Sequence, residues 1–148
     1  MEFNRHISRR LHEEHDATLA LWGRVESTLV ARKSDPALLK RAAAALAHEL
    51  DVHFAFEENE LFPRLAAAGE ADIGELLAEE HTDIRAAGRR FIALVQADPD
   101  DAQLRPLALE LAERLFSHVQ KEEMSLLPMI EDLVDEAADG ELAAAYVS

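Results

Sequence analysis

The sequence predicts an all-α fold, an antiparallel up-down-up-down four-helix bundle with a short C-terminal helix or tail. Three observations carry that prediction. Alanine, leucine, glutamate and arginine dominate, and only five of 148 residues are glycine, a composition of good helix formers. Apolar residues recur at three- and four-residue steps along four long segments. Short breaks rich in proline, aspartate or glycine separate the segments, and short connections favour antiparallel neighbours.

The first helix is expected over about residues 5–31, with Leu11, His15, Thr18, Trp22, Val25 and Leu29 on one stripe. Ser34-Asp35-Pro36 reads as a stop and a new start; Ser34 or Asp35 can cap, and Pro36 suits a first turn. The second helix carries Leu39, Ala43, Leu46, Leu50, His53, Glu57 and Leu61 on one face. It is expected to end between Pro63 and Gly69, with the proline as kink or terminator. The third starts near residue 70 and aligns Leu77, His81, Ile84, Gly88, Phe91 and Val95 until Asp98-Pro99-Asp100-Asp101 breaks it. The fourth begins near 101, takes Pro106 in its first turn, and carries Leu111, Leu115, His118 and Glu122. After Pro128 a short helix is expected over 129–138, with Gly140 separating an apolar tail that contains Tyr146 and either packs over a bundle end or frays.

Length points to a single domain over 1–148, large enough to bury a core without disulfides. The chain has no cysteine, which excludes thiolate metal sites, Fe–S clusters and a cysteine nucleophile. Met1-Glu2-Phe3-Asn4-Arg5 has no apolar run behind it, so a signal peptide is not expected. No apolar stretch is long enough to span a bilayer, and a cytoplasmic location is the expectation. The formal charge of −15 repels nucleic acid and anionic membrane, so neither is an expected partner.

The chemistry lies in a repeat. His53-Phe54-Ala55-Phe56-Glu57-Glu58 runs on to Leu61-Phe62-Pro63, and His118-Val119-Gln120-Lys121-Glu122-Glu123 runs on to Leu126-Leu127-Pro128, offset by 65 residues. Upstream, Glu13-Glu14-His15 and Glu79-Glu80-His81 repeat at an offset of 66. His53 lies 17 residues after Pro36, His81 17 before Asp98 and His118 17 after Asp101, and His15 stands at a similar distance before the first break. In antiparallel hairpins the four histidines then meet in one layer, roughly 25 Å from the loops joining helices one to two and three to four. Glu57 and Glu122, one turn past His53 and His118, share their faces.

A carboxylate in mid-stripe is unfavourable unless paired. A lone inward histidine is more often a satisfied core residue than a ligand, and a lone His–Glu pair is a common surface contact. Four histidines at one height with two acids, related by a repeat, point instead to a cavity for two metals. Each carboxylate can bridge, and each metal takes two histidines. The donors leave positions for water, oxide, hydroxide or an exogenous ligand. Nitrogen and oxygen donors without sulfur suit iron or manganese first and zinc after them.

Other polar residues get plainer readings. His6 is expected at the surface. His12 borders the site or is solvated, solvated being the expectation, and His48 points away. Glu60 is a candidate outer acid. Glu58 and Glu123 are expected to face neighbours or solvent, with the warning that a one-residue slip would exchange them with Glu57 and Glu122. Glu14 and Glu80 are placed to hydrogen-bond the outer nitrogen of a ligand histidine. Leu11, Leu50, Leu77 and Leu115, a turn from the histidines, are expected to wall one side of the cavity. Trp22 reads as core packing. Tyr146 lies outside the stripes, which argues against a buried tyrosyl radical.

At these residues the sequence resembles the haemerythrin-like, HHE cation-binding family, over nearly the whole chain from His15 to Pro128. The resemblance implies a four-helix bundle around a non-haem di-iron centre, two irons with an oxo or hydroxo bridge. Family members bind oxygen, sense oxygen or iron, handle peroxide or turn over nitric oxide. Carried over, the ligands are His15, His53 with Glu57, His81, and His118 with Glu122. The oxygen carriers of the family have two histidines on the third helix, where this chain has Leu77 and His81, and set the last acid five residues past its histidine, where this chain has Glu123, with Glu122 at four. The resulting set of four histidines and two glutamates leaves both metals open. That implies binding of or reaction with O2, H2O2 or NO, including peroxide disproportionation or iron oxidation. The alternatives are an iron or oxygen sensor or a store without turnover, and a metal-free His–Glu network.

Overall fold

A computed structural model describes residues 2–146; the ends of the predicted domain, Met1 and residues 147 and 148, lie outside the described residues. Among the described residues the fold is a bundle of helices without strands. Helix α1 spans His6–Val30, α2 residues 36–67, α3 Ala71–Ala97, α4 residues 104–133 and α5 Glu136–Ala145. Helix α1 packs on α2 and α4, and α3 packs on α2 and α4.

Local sequence explains most boundaries. Asp35 is the cap of α2, accepting from Leu38 N–H at 3.0 Å, and Pro36 follows in the first turn. Gly69 takes φ +84°, and the Glu70 N–H reaches back to Leu65 O at 2.8 Å; glycine adopts that left-handed end without a Cβ clash. Helix α1 has no local side-chain cap. Its first N–H groups are satisfied from the far end of the chain, His6 and Ile7 by Asp139 at 2.9 and 3.0 Å and Arg5 by Glu131 at 2.8 Å. Two carboxylates there also complement the positive end of the helix.

Helix α2 ends at Ala67, inside the expected span from Pro63 to Gly69, though not at the proline. The expectation of a separate short helix over 129–138 is corrected, because α4 runs on through Pro128. Neither Pro63 nor Pro128 breaks its helix. Before each, the ladder widens into a π turn: Phe62 N–H donates to Glu57 O and Leu127 N–H to Glu122 O, five residues back. The wider turn shifts the ladder where the proline ring would meet the carbonyl four residues behind it. Helix α4 therefore continues to Leu133, Asp135 caps α5 by accepting from Ala138 N–H at 2.8 Å, and Gly140 sits inside α5 rather than before a tail. The tail packs: Leu142 and Tyr146 are buried.

The core is divided. One apolar cluster contains Trp22, Leu46, Leu50, Phe91, Leu111 and Leu115. The other contains Ile7, Leu11, Leu61, Leu77, Ile130 and Tyr146. The predicted polar layer lies at their junction. Leu50 and Leu115 thus stand with one cluster and Leu11 and Leu77 with the other, so the four leucines wall two sides of the layer, not one. Trp22 packs against Phe91 in the core, rings 5.4 Å apart.

Candidate metal centre

All six predicted residues are buried at this junction: His15, His53, Glu57, His81 and Glu122 at 0% exposure and His118 at 2%. Helix α1 brings His15, α2 brings His53 and Glu57, α3 brings His81, and α4 brings His118 and Glu122. They form two four-donor groups that share both acids, His15–His53–Glu57–Glu122 and His81–His118–Glu57–Glu122, each with its ligand atoms within 4.8 Å of one another.

Both carboxylates straddle the two groups. Glu57 turns Oε2 to His53 Nε2 at 3.1 Å and Oε1 to His81 Nε2 at 3.2 Å. Glu122 turns Oε1 to His15 Nε2 at 2.8 Å and Oε2 to His118 Nε2 at 3.1 Å. Among the described residues two of the three π turns begin at these acids and the third, Glu49–His53, ends at His53; such bulges commonly serve a site.

Around this core runs a second ring. Glu14 on α1 holds His53 Nδ1 on α2 at 3.2 Å; Glu58 on α2 holds His81 on α3 at 2.8 Å; Glu80 on α3 holds His118 on α4 at 2.8 Å; Glu123 on α4 holds His15 on α1 at 2.8 Å. A carboxylate only accepts, so each Nδ1 carries the proton and each Nε2 is directed inward. Glu14 and Glu80 stand as the sequence reading expects. Glu58 and Glu123 do not face solvent or merely neighbours. Their signal was their own repetition at the 65-residue offset. The partners that hold the ring carboxylates carried no repeat: Arg85 on Glu58 at 2.7 Å, Lys121 on Glu80, His12 on Glu123, and Tyr146, which donates to Glu14 at 2.6 Å. Tyr146 is the larger correction, since its ring lies 6.4 Å from that of His53. Glu60 is exposed and outside both rings, and His6 is exposed. His48 is half-buried and lines a cavity with Glu14 and Glu49.

The core calls for positive charge. Glu57 Oε1 and Glu122 Oε2 are buried with no hydrogen-bond partner, and the Nε2 atoms of His81 and His118 face each other at 3.0 Å. Neutral rings protonated at Nδ1 would aim two lone pairs at one point. Without metal, protons supply the charge. Burial opposes protonation, but hydrogen bonds to Glu122 and Glu123 push His15 up to about 9, the adjacent Glu122 and Glu57 carboxylates push His81 up to about 9, and the negative charge of Glu122 carries His118 to about 10. Burial likewise opposes ionisation of Glu122, yet His118 and its neighbours hold it well below the usual carboxylate range. A divalent cation in each four-donor group answers the same demand. Two imidazoles and two carboxylates without sulfur form a donor set that fits iron or manganese.

No curated protein and no solved structure matched the chain. Residues 6–130 match the family model described as the hemerythrin HHE cation binding domain. That match spans four helices and includes every residue of the two rings except Tyr146, and on it the chain belongs to the haemerythrin HHE cation-binding family.

Proposed function

We propose that His15, His53, Glu57, His81, His118 and Glu122 hold two metal ions, iron in preference to manganese or zinc, and that the loaded protein reacts with or binds small oxidants (O2, H2O2 or NO). The observation that carries this reading is the sharing of Glu57 and Glu122 between two otherwise separate histidine pairs. Iron held there supplies redox chemistry toward such molecules. The residues do the rest. The ring of Glu14, Glu58, Glu80 and Glu123 orients each imidazole and raises its basicity. The two glutamates balance part of the cation charge. Phe54, stacked flat on His81 at 3.8 Å, and the apolar clusters on both sides keep bulk water and large substrates out. The buried Leu77, one turn from His81, adds no donor, which favours an open position over a saturated one.

The same reading takes the chain as a single domain, its four long helices running up-down-up-down, supported by the short connections between them. Among the described residues no helix is long and apolar enough to cross a membrane. With the charge of −15, this fits a cytoplasmic protein whose partners are small molecules rather than nucleic acid or membrane.

The test is metal analysis of protein made with iron available, followed by absorption spectra and gas evolution on peroxide addition. About two irons per chain, one per four-donor group, with rapid gas release, is the expected result. Less than one metal per chain, or zinc alone, would refute the di-iron reading; full iron without turnover would move it to a sensor or store. Leu77→His, which offers a fifth imidazole, is expected to shift reaction with oxygen toward reversible binding.

A further inference from the structure

Three of the four outer carboxylates have a second basic partner: His12 for Glu123, Arg85 for Glu58 and Lys121 for Glu80. The second partner of Glu14 is the neutral Tyr146 hydroxyl, and its Oε2 is buried with no hydrogen bond. Beside it stands Glu49, whose side chain is 9% exposed and stops 3.7 Å from His53 Nδ1. Among the described residues that side chain makes no hydrogen bond. Both acids line a cavity of about 400 Å³ between α1 and α2, whose other walls include Trp22, Leu46, His48 and Leu115. Ligand atoms of Glu14, Glu49 and His53 lie within 4.8 Å of one another.

We propose that Glu14 and Glu49 form a further, weaker divalent-cation site, the last station on the way into the core. The proposal rests on the metal-binding reading of that core. Two carboxylates, one of them almost wholly buried, match the charge of one divalent ion, and oxygen donors suit a hard cation. The cavity provides the approach from the surface, and its chain of −15 draws cations toward it. His53 links the two sites. Its Nδ1 faces Glu14 while its Nε2 faces Glu57, so an ion held by the two acids stands one imidazole away from the core. With only two protein carboxylates and water as ligands, the site releases its ion to the richer donor set inside. Binding and transfer involve no redox step.

The probe is Mn2+, added to metal-free wild type, Glu49→Gln, and Glu141→Gln as a control for loss of one exposed charge. Electron paramagnetic resonance follows the disappearance of free Mn2+, and metal analysis gives the final content. All three are expected to reach the same tightly held content, but Glu49→Gln about tenfold more slowly, the size of effect typical of losing one supporting carboxylate. Protein with a full core is expected to take up one further weak Mn2+, absent from Glu49→Gln. Ala45→Trp, which narrows the cavity and leaves both acids in place, is expected to slow loading too and stands in if Glu49→Gln does not fold. Equal rates and an unchanged weak site in Glu49→Gln, or equal slowing in Glu141→Gln, would overturn the proposal while leaving the core reading intact. A wild type that takes up no metal would overturn both.

Discussion

Glu122 belongs to both four-donor groups, whereas His118 belongs to one, and that difference is measurable. Replacing Glu122 with Gln removes charge from the side facing His15 at 2.8 Å and from the side facing His118 at 3.1 Å. His118→Ala leaves His15, His53, Glu57 and Glu122 untouched. A ligand at a hundred times its dissociation constant stabilises the folded state by about 2.7 kcal/mol per site. Two sites then contribute roughly 5 kcal/mol, which for a chain of this length raises the melting temperature by about 10–20 °C. Removing a buried partner alone destabilises by about 3–5 kcal/mol, so each variant is compared with its own metal-free form. The assay is calorimetric melting with Fe2+ added anaerobically, alongside metal analysis. Wild type is expected to show the whole shift, His118→Ala about half of it, and Glu122→Gln little. Glu57→Gln, whose acid also serves both groups, should behave as Glu122→Gln does. A full metal-dependent shift in Glu122→Gln would refute the shared-carboxylate reasoning.

The pH dependence of the metal-free protein follows from its raised histidines. His15, His81 and His118, ordinarily near 6.5, are pushed to about 9, 9 and 10, so their contribution is whole below about pH 6.5 and is lost as pH rises through 9 to 10. Glu122 acts oppositely: its lowered value contributes above about pH 4.5 and is lost as pH falls further. Melting of metal-free protein by circular dichroism should decline from pH 6.5 to 10; a flat profile contradicts the assignment of protons to the core. Metal uptake should release protons, detectable in weak buffer. Tyr146→Phe removes the phenol donor to Glu14, and loss of a hydrogen bond to a carboxylate costs about 2 kcal/mol; an unmoved urea midpoint would show the contact to be idle. Gly88→Val should destabilise by about 1–3 kcal/mol through overpacking, because a Cβ there already meets Leu50 Cδ1 at 3.0 Å and Leu46 Cδ2 at 3.2 Å; denaturation that leaves stability unchanged would disprove that close approach.

The repeat made the inner six residues legible because their positions are set by helical period and by distance from the breaks, both written in the sequence. Choosing Glu122 over Glu123 also follows from period: one turn past His118 the side chain returns to the same face, and Glu122 is fully buried while Glu123 is not. The prolines misled because a proline's effect depends on the ladder around it, and a π turn is a state of that ladder rather than of any residue. Glu58 and Glu123 looked solvated because each lies off its own helix's apolar stripe, yet the neighbouring helix presents a histidine to it. Period along one helix carries no information about what stands across the gap.

Chain order alone therefore determined an all-helical protein with four inward histidines and two inward acids, since those depend on local propensity and spacing. Tertiary structure decided the closed relay in which a carboxylate of each of the four long helices grips an imidazole of a neighbouring one, and the arrival of Tyr146 and Asp139 from far along the chain. Glu14 and Tyr146 are 132 residues apart, and only the packing of α5 against α1 brings the phenol to the carboxylate that sets His53.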